Sequence, residues 1–368
     1  WGGPQRQIAG FADGICARSK RINRVFTETI DTEKEEQNPM KKCLLFLLTA
    51  TVLLGMLAGC SGSQSSSAAA AGSGAAEGEQ TYKVGVLQLV QHNALDAATQ
   101  GFKDKLEASD LNVDIVVENA SGEQATCTTI ANKFINDKKD LILAVATPAA
   151  QAVAQATQDI PILVTAVTDP AASHLVASNE APGGNVSGTS DMNQYMDKQL
   201  ELIDILVPDA ETVGIMYCSG EDNSIIQAEQ AQGILEDMGY EVKVYTAADT
   251  NEIQSVTQMA CGEVDAIYIP TDNTFASAMP TVSMVTTPAK IPVICGEENM
   301  TMAGGLATYS VDYYRLGEMA AEQAISILTG EADVGDIPIG FASEEDMKYV
   351  FNEEVAAEIG IEIPADLK

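Results

Sequence analysis

Basic side chains are scarce: 20 Lys and Arg stand against 53 Asp and Glu, a formal net charge of −33 over 368 residues. That excess of acid repels phosphate backbones and excludes a nucleic-acid binder. Histidine is scarcer still, with two residues, and none of the seven cysteines pair at zinc-finger spacing. No metal and no other cofactor are therefore expected. Catalytic signatures are missing too. The chain has no Gly-x-Ser-x-Gly elbow, no P-loop and no Gly-x-Gly-x-x-Gly, and no nucleophile–base pair stands out, so an enzyme is not expected.

What is present is a globular composition, 46% hydrophobic and 20% charged, long enough for one or two domains with cores of their own. Residues 1–39 show no sustained periodicity. From Met40 the pattern is that of an export signal: Lys41 and Lys42, an apolar run from Leu44 to Leu54, then Leu57-Ala58-Gly59-Cys60. The last four residues look like a bacterial lipobox, in which the Cys60 thiol is acylated and becomes the first mature residue. A membrane-spanning anchor is the rival reading, but Met40 to Gly59 is barely long enough. Residues 1–39 are then expected to be a non-native upstream extension, 40–59 a lipoprotein signal peptide, and 60–80 a flexible Ser/Ala/Gly-rich tether. Residues 1–59 carry 8 of the basic and 6 of the acidic side chains, leaving 12 and 47 over 309 residues, a net of −35. The mature protein is expected outside the cytoplasmic membrane, held to it by a lipid at Cys60.

From Thr81 apolar runs alternate with amphipathic stretches. Val84 to Leu89, Val113 to Val117, Leu141 to Val145 and Ile162 to Ala166 read as strands, with helices between them. The same order recurs about 130 residues later, where Val213 to Tyr217 answers Val84 to Gln88 and Ile291-Pro292 answers Ile160-Pro161. This predicts an α/β protein of two doubly wound, parallel-sheet lobes with a cleft at the carboxyl ends of their strands. Leu306 to Tyr309 and a helix over Tyr314 to Leu328 are expected to cross back to lobe one, and Ile337 to Lys368 to return to lobe two. The expected boundaries are 81–187 plus 306–334 for lobe one and 188–305 plus 335–368 for lobe two, joined by a three-crossing hinge.

The strand ends carry the candidate site. Thr147-Pro148 reads as an N-cap with Pro at the first helical position, where free N–H groups and a hydroxyl can hold a carboxylate. Thr168-Asp169-Pro170 follows the neighbouring strand. In lobe two the matching corners hold Thr271, Asp272 and Asn273, then Glu297, while Ser219 and Asn223 follow its first strand. Hydroxyls and amides in one lobe facing carboxylates and amides in the other complement a zwitterion, with its ammonium toward lobe two. The alternative is that these residues are ordinary caps and turn formers. His92 follows the first strand and either lines the cleft or lies on the surface. Cys127, Cys218, Cys261 and Cys295 are expected to be free thiols, although three pairings are possible. Arg315 is the only Arg after Cys60, and this scarcity argues against phosphates and dicarboxylates.

Several of these motifs together resemble one family. Gln88 to Asp96, Ala146-Thr147-Pro148-Ala149-Ala150-Gln151-Ala152, Thr165 to Pro170, Thr189-Ser190-Asp191, Pro270 to Thr274 and Gly304 to Tyr314 are similar to the tryptophan/tyrosine-type substrate-binding proteins of ABC transporters. The resemblance covers residues 81–368. It implies a type I periplasmic-binding-protein fold and adds Gln88 and Asp191 to the candidate ligand residues. It also implies a small-molecule solute, an aromatic amino acid, passed to an ABC permease and its ATPase. Gly304-Gly305 departs from the Gly-Ala expected there. The expected protein is a monomeric solute-binding lipoprotein for amino-acid import. The alternative is a ligand-sensing receptor of the same fold coupled to a signalling partner.

Overall fold

The computed structural model describes residues 80–365 and 367. The expected upstream extension, signal peptide and Cys60 anchor, with nearly all of the tether, lie outside those residues. Among the described residues, no helix is long and apolar enough to cross a membrane.

The chain begins with β1 (Thr81–Gln88), α1 (Asn93–Glu107), β2 (Asn112–Asn119), α2 (Gln124–Asn136), β3 (Leu141–Val145), α3 (Thr147–Ala156), β4 (Ile162–Val167) and β5 (Val186–Ser190). β3 and β4 are buried at every position, which is why they read as unbroken apolar runs rather than alternating ones. Then come α4 (Met196–Leu206), β6 (Thr212–Cys218), α5 (Asp222–Met238), β7 (Glu241–Ala247), α6 (Ile253–Cys261), β8 (Ala266–Ile269), α7 (Asn273–Ser277), α8 (Met279–Ala289), β9 (Val293–Cys295), α9 (Glu298–Met302) and β10 (Ala307–Val311). The chain closes with α10 (Tyr313–Leu328), β11 (Gly340–Phe341), β12 (Met347–Phe351) and α11 (Glu353–Ile359).

Two six-stranded sheets result, in the orders β11-β5-β4-β3-β1-β2 and β12-β10-β9-β8-β6-β7. The first is wholly parallel, and in the second only β12 runs antiparallel. The shared order is the internal repeat predicted from the sequence. Each sheet has its own core, one around Phe102, Phe134 and Leu143, the other around Tyr268, Leu235 and Phe275.

The lobe boundaries differ from those expected. The whole of β5, through Ser190, pairs with β4 in the first sheet, so lobe one runs past 187. β10 stays in lobe two between β9 and β12 rather than crossing back at 306. β11 pairs with β5, so the return to lobe two comes after Phe341 rather than at 335. Three crossings remain, between β5 and α4, β10 and α10, and β11 and β12. α10 is fastened to lobe one by a glycine pair. A Cβ on Gly317 would lie 2.0 Å from the Ala98 carbonyl oxygen, and one on Gly101 would lie 2.1 Å from that of Tyr314. Only a hydrogen at these two points lets α1 and α10 pack backbone to backbone.

A buried acidic cleft between the lobes

The carboxyl ends of both sheets face one cleft. On lobe one the backbone turns there through unusual geometry. Ala146 (φ 83°, ψ 153°) is the N-cap of α3, making Thr147 the first helical residue and Pro148 the second, one position later than expected. Ala166 (φ 54°) sits where the β4–β5 register shifts. Such conformations cost non-glycine residues ~1–3 kcal/mol each and cluster at functional sites. Gly188 (φ 134°), opposite Val164 where that shift begins, is required, since its Cβ would meet the Val164 carbonyl oxygen at 2.1 Å. Asp191 remains tied to this lobe by its N–H, which donates to the Val167 carbonyl at 3.3 Å.

On lobe two the carboxylates are held by the backbone. Asp272 caps α7, accepting from Cys218 N at 2.6 Å and Phe275 N at 2.7 Å. Glu297 caps α9 in the same way, accepting from Asn299 N and Met300 N. Glu221 gathers five donors: the N–H groups of Asn273 and Thr274, the Asn273 amide, the Thr274 hydroxyl and, at 3.4 Å, the Asn223 amide. Asn223, in the first turn of α5, donates to the Thr271 carbonyl at 3.0 Å.

Burial dominates the electrostatics. It pushes Asp272 up to about 7, helped by repulsion from Glu221, and Glu297 also to about 7 against the pull of its capping N–H groups. Asp191 is raised by burial as well, although Tyr313, which donates to its Oδ2 at 2.7 Å, favours the ionised form. The Thr168 hydroxyl lowers it further, yet no donor sits in hydrogen-bonding geometry on Oδ1. His92 is lowered by desolvation, which outweighs Asn273, Glu221 and Asp96.

The lobes already touch. His92 Nε2 meets Asn273 Oδ1 at 3.2 Å, Gln227 Nε2 reaches Thr168 Oγ1 at 2.9 Å, and Gln151 Nε2 donates to Asp222 Oδ2 at 2.7 Å. Behind these bridges is a cavity of about 10 Å³, bordered by His92, Asp191, Asn223, Asp272, Glu297 and Tyr313. A larger one of about 280 Å³ opens on the outer side, bordered by Pro148, Glu123, Glu221, Asp249 and Thr274. Asn273 belongs to both. No Lys or Arg borders either cavity.

Of the thirteen candidates, His92, Asp191, Asn223, Thr271, Asp272, Asn273 and Glu297 border the inner cavity and Pro148 the outer. Thr147 is 1% exposed and its hydroxyl has no partner. Thr168 meets the other lobe through Gln227. Neither of these two threonines borders a cavity, and nor do the remaining three candidates. Gln88 is consumed inside lobe one by Val90, Asp96 and Thr99. Asp169 closes its own loop onto Ala171, Ala172 and Asn179. Ser219 is exposed and turned to the Ala247 carbonyl. Glu221, Gln227 and Tyr313 are the residues that sequence reasoning passed over. The acidic run after β6 and the Tyr-Tyr pair beside Arg315 were the available signals for Glu221 and Tyr313, while Gln227 gave none. The four expected thiols, Cys127, Cys218, Cys261 and Cys295, are free.

Residues 83–368 match the family described as ABC transporter substrate binding protein. A tyrosine-binding protein of Clostridioides difficile is 40% identical over 318 residues, covering 85% of this chain and 91% of its own. An ABC domain from Streptococcus pneumonia solved in complex with L-Trp is 38% identical, with TM-score 0.75, over 78% of this chain and 97% of that one. A ligand-free, open substrate binding protein with adhesive properties from Clostridium difficile is 42% identical but has TM-score 0.60, over 77% of this chain and 97% of its own. The more similar sequence superposes less well.

Proposed function

This chain belongs to the ABC transporter substrate-binding protein family, and from that premise we propose that it takes a small zwitterionic solute, an aromatic amino acid, into the cleft and delivers it to a permease for import. Its fold is the type I periplasmic-binding-protein fold, and such proteins act by binding rather than catalysis. The observation that carries the proposal is the charge of the cleft. Asp191, Glu221, Asp272 and Glu297 are all buried around it without one Lys or Arg. A phosphate or dicarboxylate would have to enter against four acidic groups, whereas an ammonium is attracted. The ligand carboxylate then goes to the dipole end, the Thr147 hydroxyl and the first turn of α3, which needs no cation to hold an anion.

Size and kinship support the same solute. An outer cavity of about 280 Å³ suits a compact ligand rather than an oligosaccharide or a long peptide. The relatives include one named for tyrosine and one bound to L-Trp. Function follows from closure: a solute bridging both lobes stabilises the closed form, and the permease reads that form. The interlobe bonds of His92, Gln151 and Gln227 are the contacts that closure makes. A lipid at Cys60, with residues 60–80 as a leash, completes the proposal by keeping the receptor at the membrane surface.

Calorimetric titration of the chain with tyrosine, tryptophan, phenylalanine, leucine, glutamate and inosine tests it. At least one aromatic amino acid is expected to bind at micromolar affinity or tighter. Absence of heat with all three aromatic amino acids sinks the proposed solute.

A further inference from the structure

Three buried atoms around the inner cavity lack partners, and all three are acceptors. Asp191 is 7% exposed; its Oδ2 takes the Tyr313 hydroxyl, and its Oδ1 has no donor in hydrogen-bonding geometry although the Thr168 hydroxyl lies near the carboxylate. Asn223 is 3% exposed; its Nδ2 donates to the Thr271 carbonyl, which fixes the amide orientation and leaves Oδ1 without a donor. The third is His92. Asn273 donates from Nδ2 to Glu221 at 2.6 Å, so the atom it shows to His92 is an oxygen, which can only accept. His92 Nε2 therefore carries the proton, and Nδ1, buried and unpartnered, is the bare lone pair of a neutral imidazole.

We propose that His92 Nδ1, Asp191 Oδ1 and Asn223 Oδ1 form a seat for a single primary ammonium group, which fills the inner cavity. This rests on reading the cleft as an amino-acid site. The count of donors selects the occupant: an ammonium offers three N–H groups to three acceptors, while a water offers two. The volume agrees, since about 10 Å³ is room for one water-sized group and no more. A guanidinium or a quaternary ammonium does not fit. Charge agrees as well, because Asp191 supplies one anion among the three and buried charge-assisted bonds are the strong ones. The seat also spans both lobes, with His92 and Asp191 from lobe one and Asn223 from lobe two, so the bound ammonium itself draws the cleft shut.

The ammonium thus moves away from where the sequence placed it. Both oxygens of Asp272 already accept backbone N–H groups, from Cys218 and Phe275, and the role of that carboxylate is to hold α7 in place. The rest of the ligand extends past Asn273 into the outer cavity.

The test is calorimetry on the full chain with L-tyrosine and L-tryptophan, each against its des-amino counterpart, 3-(4-hydroxyphenyl)propanoate or indole-3-propanoate. The unmodified chain is expected to prefer the amine. Asp191→Asn and His92→Phe are expected to shrink that preference by roughly 10- to 100-fold, with His92→Phe also weakening both ligands alike through loss of its interlobe bond to Asn273. Asp272→Asn is expected to weaken both ligands alike, leaving the preference intact. His92 is only partly buried, so its variant folds even if the Asp191 variant does not, and thermal melts check each. A preference that survives both seat variants, or that collapses only with Asp272→Asn, overturns the proposal. If the tightest amino acid is not aromatic, the same paired comparison with its own des-amino analogue keeps the seat and discards the aromatic solute. A tightest ligand without an ammonium group discards both.

Discussion

The two lobes share a strand order but meet the cleft in opposite ways. Lobe one leaves polar atoms open there: His92 Nδ1, Thr147 Oγ1 and Asp191 Oδ1 have no partners, and Ala146 and Ala166 hold costly backbone angles beside them. Lobe two brings more acid but has largely engaged it, with both oxygens of Glu221, Asp272 and Glu297 accepting from neighbouring donors. Its open atom at the cleft is Asn223 Oδ1. Charge near a cleft and capacity to bind are therefore different quantities. A buried carboxylate that caps a helix is structural, and the unfilled lone pair, not the formal charge, marks a place for ligand.

The same contrast extends to packing, and there the largest effect is expected. In lobe one, Gly317→Ala drives a methyl to 2.0 Å from the Ala98 carbonyl and forces α1 and α10 apart. A loss of about 3 kcal/mol or more is expected. In lobe two, Gly233 lies mid-helix in α5 with nothing within 4 Å of its would-be Cβ, so Gly233→Ala is expected to gain about 0.5–1 kcal/mol from helix propensity. Urea unfolding of the two variants reads both. Equal midpoints would mean that the α1–α10 contact relaxes freely and that lobe one is no tighter than its partner.

How much of this was legible in sequence follows the same division. Strands buried on both faces, such as Leu141 to Val145, announce themselves as apolar runs, so the alternation and the repeat were readable. β5 (Val-Ser-Gly-Thr-Ser), β10 (Ala-Thr-Tyr-Ser-Val) and the two-residue β11 carry no such run, and the lobe boundaries were misplaced at those three strands. In the site, strand-end residues were readable as a set because Thr-Pro and Asp-Asn are cap and turn chemistry. Which of them stay open was not readable. The partner that fills Asp272 is a backbone N–H 54 residues away, at Cys218, and the amide that bridges the lobes, Gln227, looks like any solvent-facing position of a helix.

A smaller effect, on the order of 2 kcal/mol, is expected from pH. Asp272 and Glu297 are raised to about 7 in the folded protein, above their unfolded values of about 3.9 and 4.3. Groups raised in this way add stability below pH 4 and lose it as pH climbs through 7. The ligand-free chain is thus expected to melt lower at pH 8 than at pH 5.5, and Asp272→Asn with Glu297→Gln is expected to flatten the difference. Scanning calorimetry at both pH values decides the matter. A melting point that rises instead would mean that the capping N–H groups hold both carboxylates ionised, making lobe two's self-sufficiency stronger still.

The smallest effect is expected at Arg315, the only Arg among the described residues. In many binding proteins a lone Arg near a hinge would be the first candidate for the ligand carboxylate. Here its guanidinium lies along α10 against Glu318 at 3.2 Å and Glu322 at 3.4 Å, with its side chain 40% exposed, and it borders neither cavity. Exposed pairs of this kind contribute about 0.2–1 kcal/mol. Arg315→Ala is therefore expected to leave affinity for the amino acid unchanged in calorimetry and to shift stability by no more than that. A tenfold loss of affinity would show that a cation does hold the carboxylate, and lobe one would then bind by charge rather than through the hydroxyl and helix dipole at Thr147.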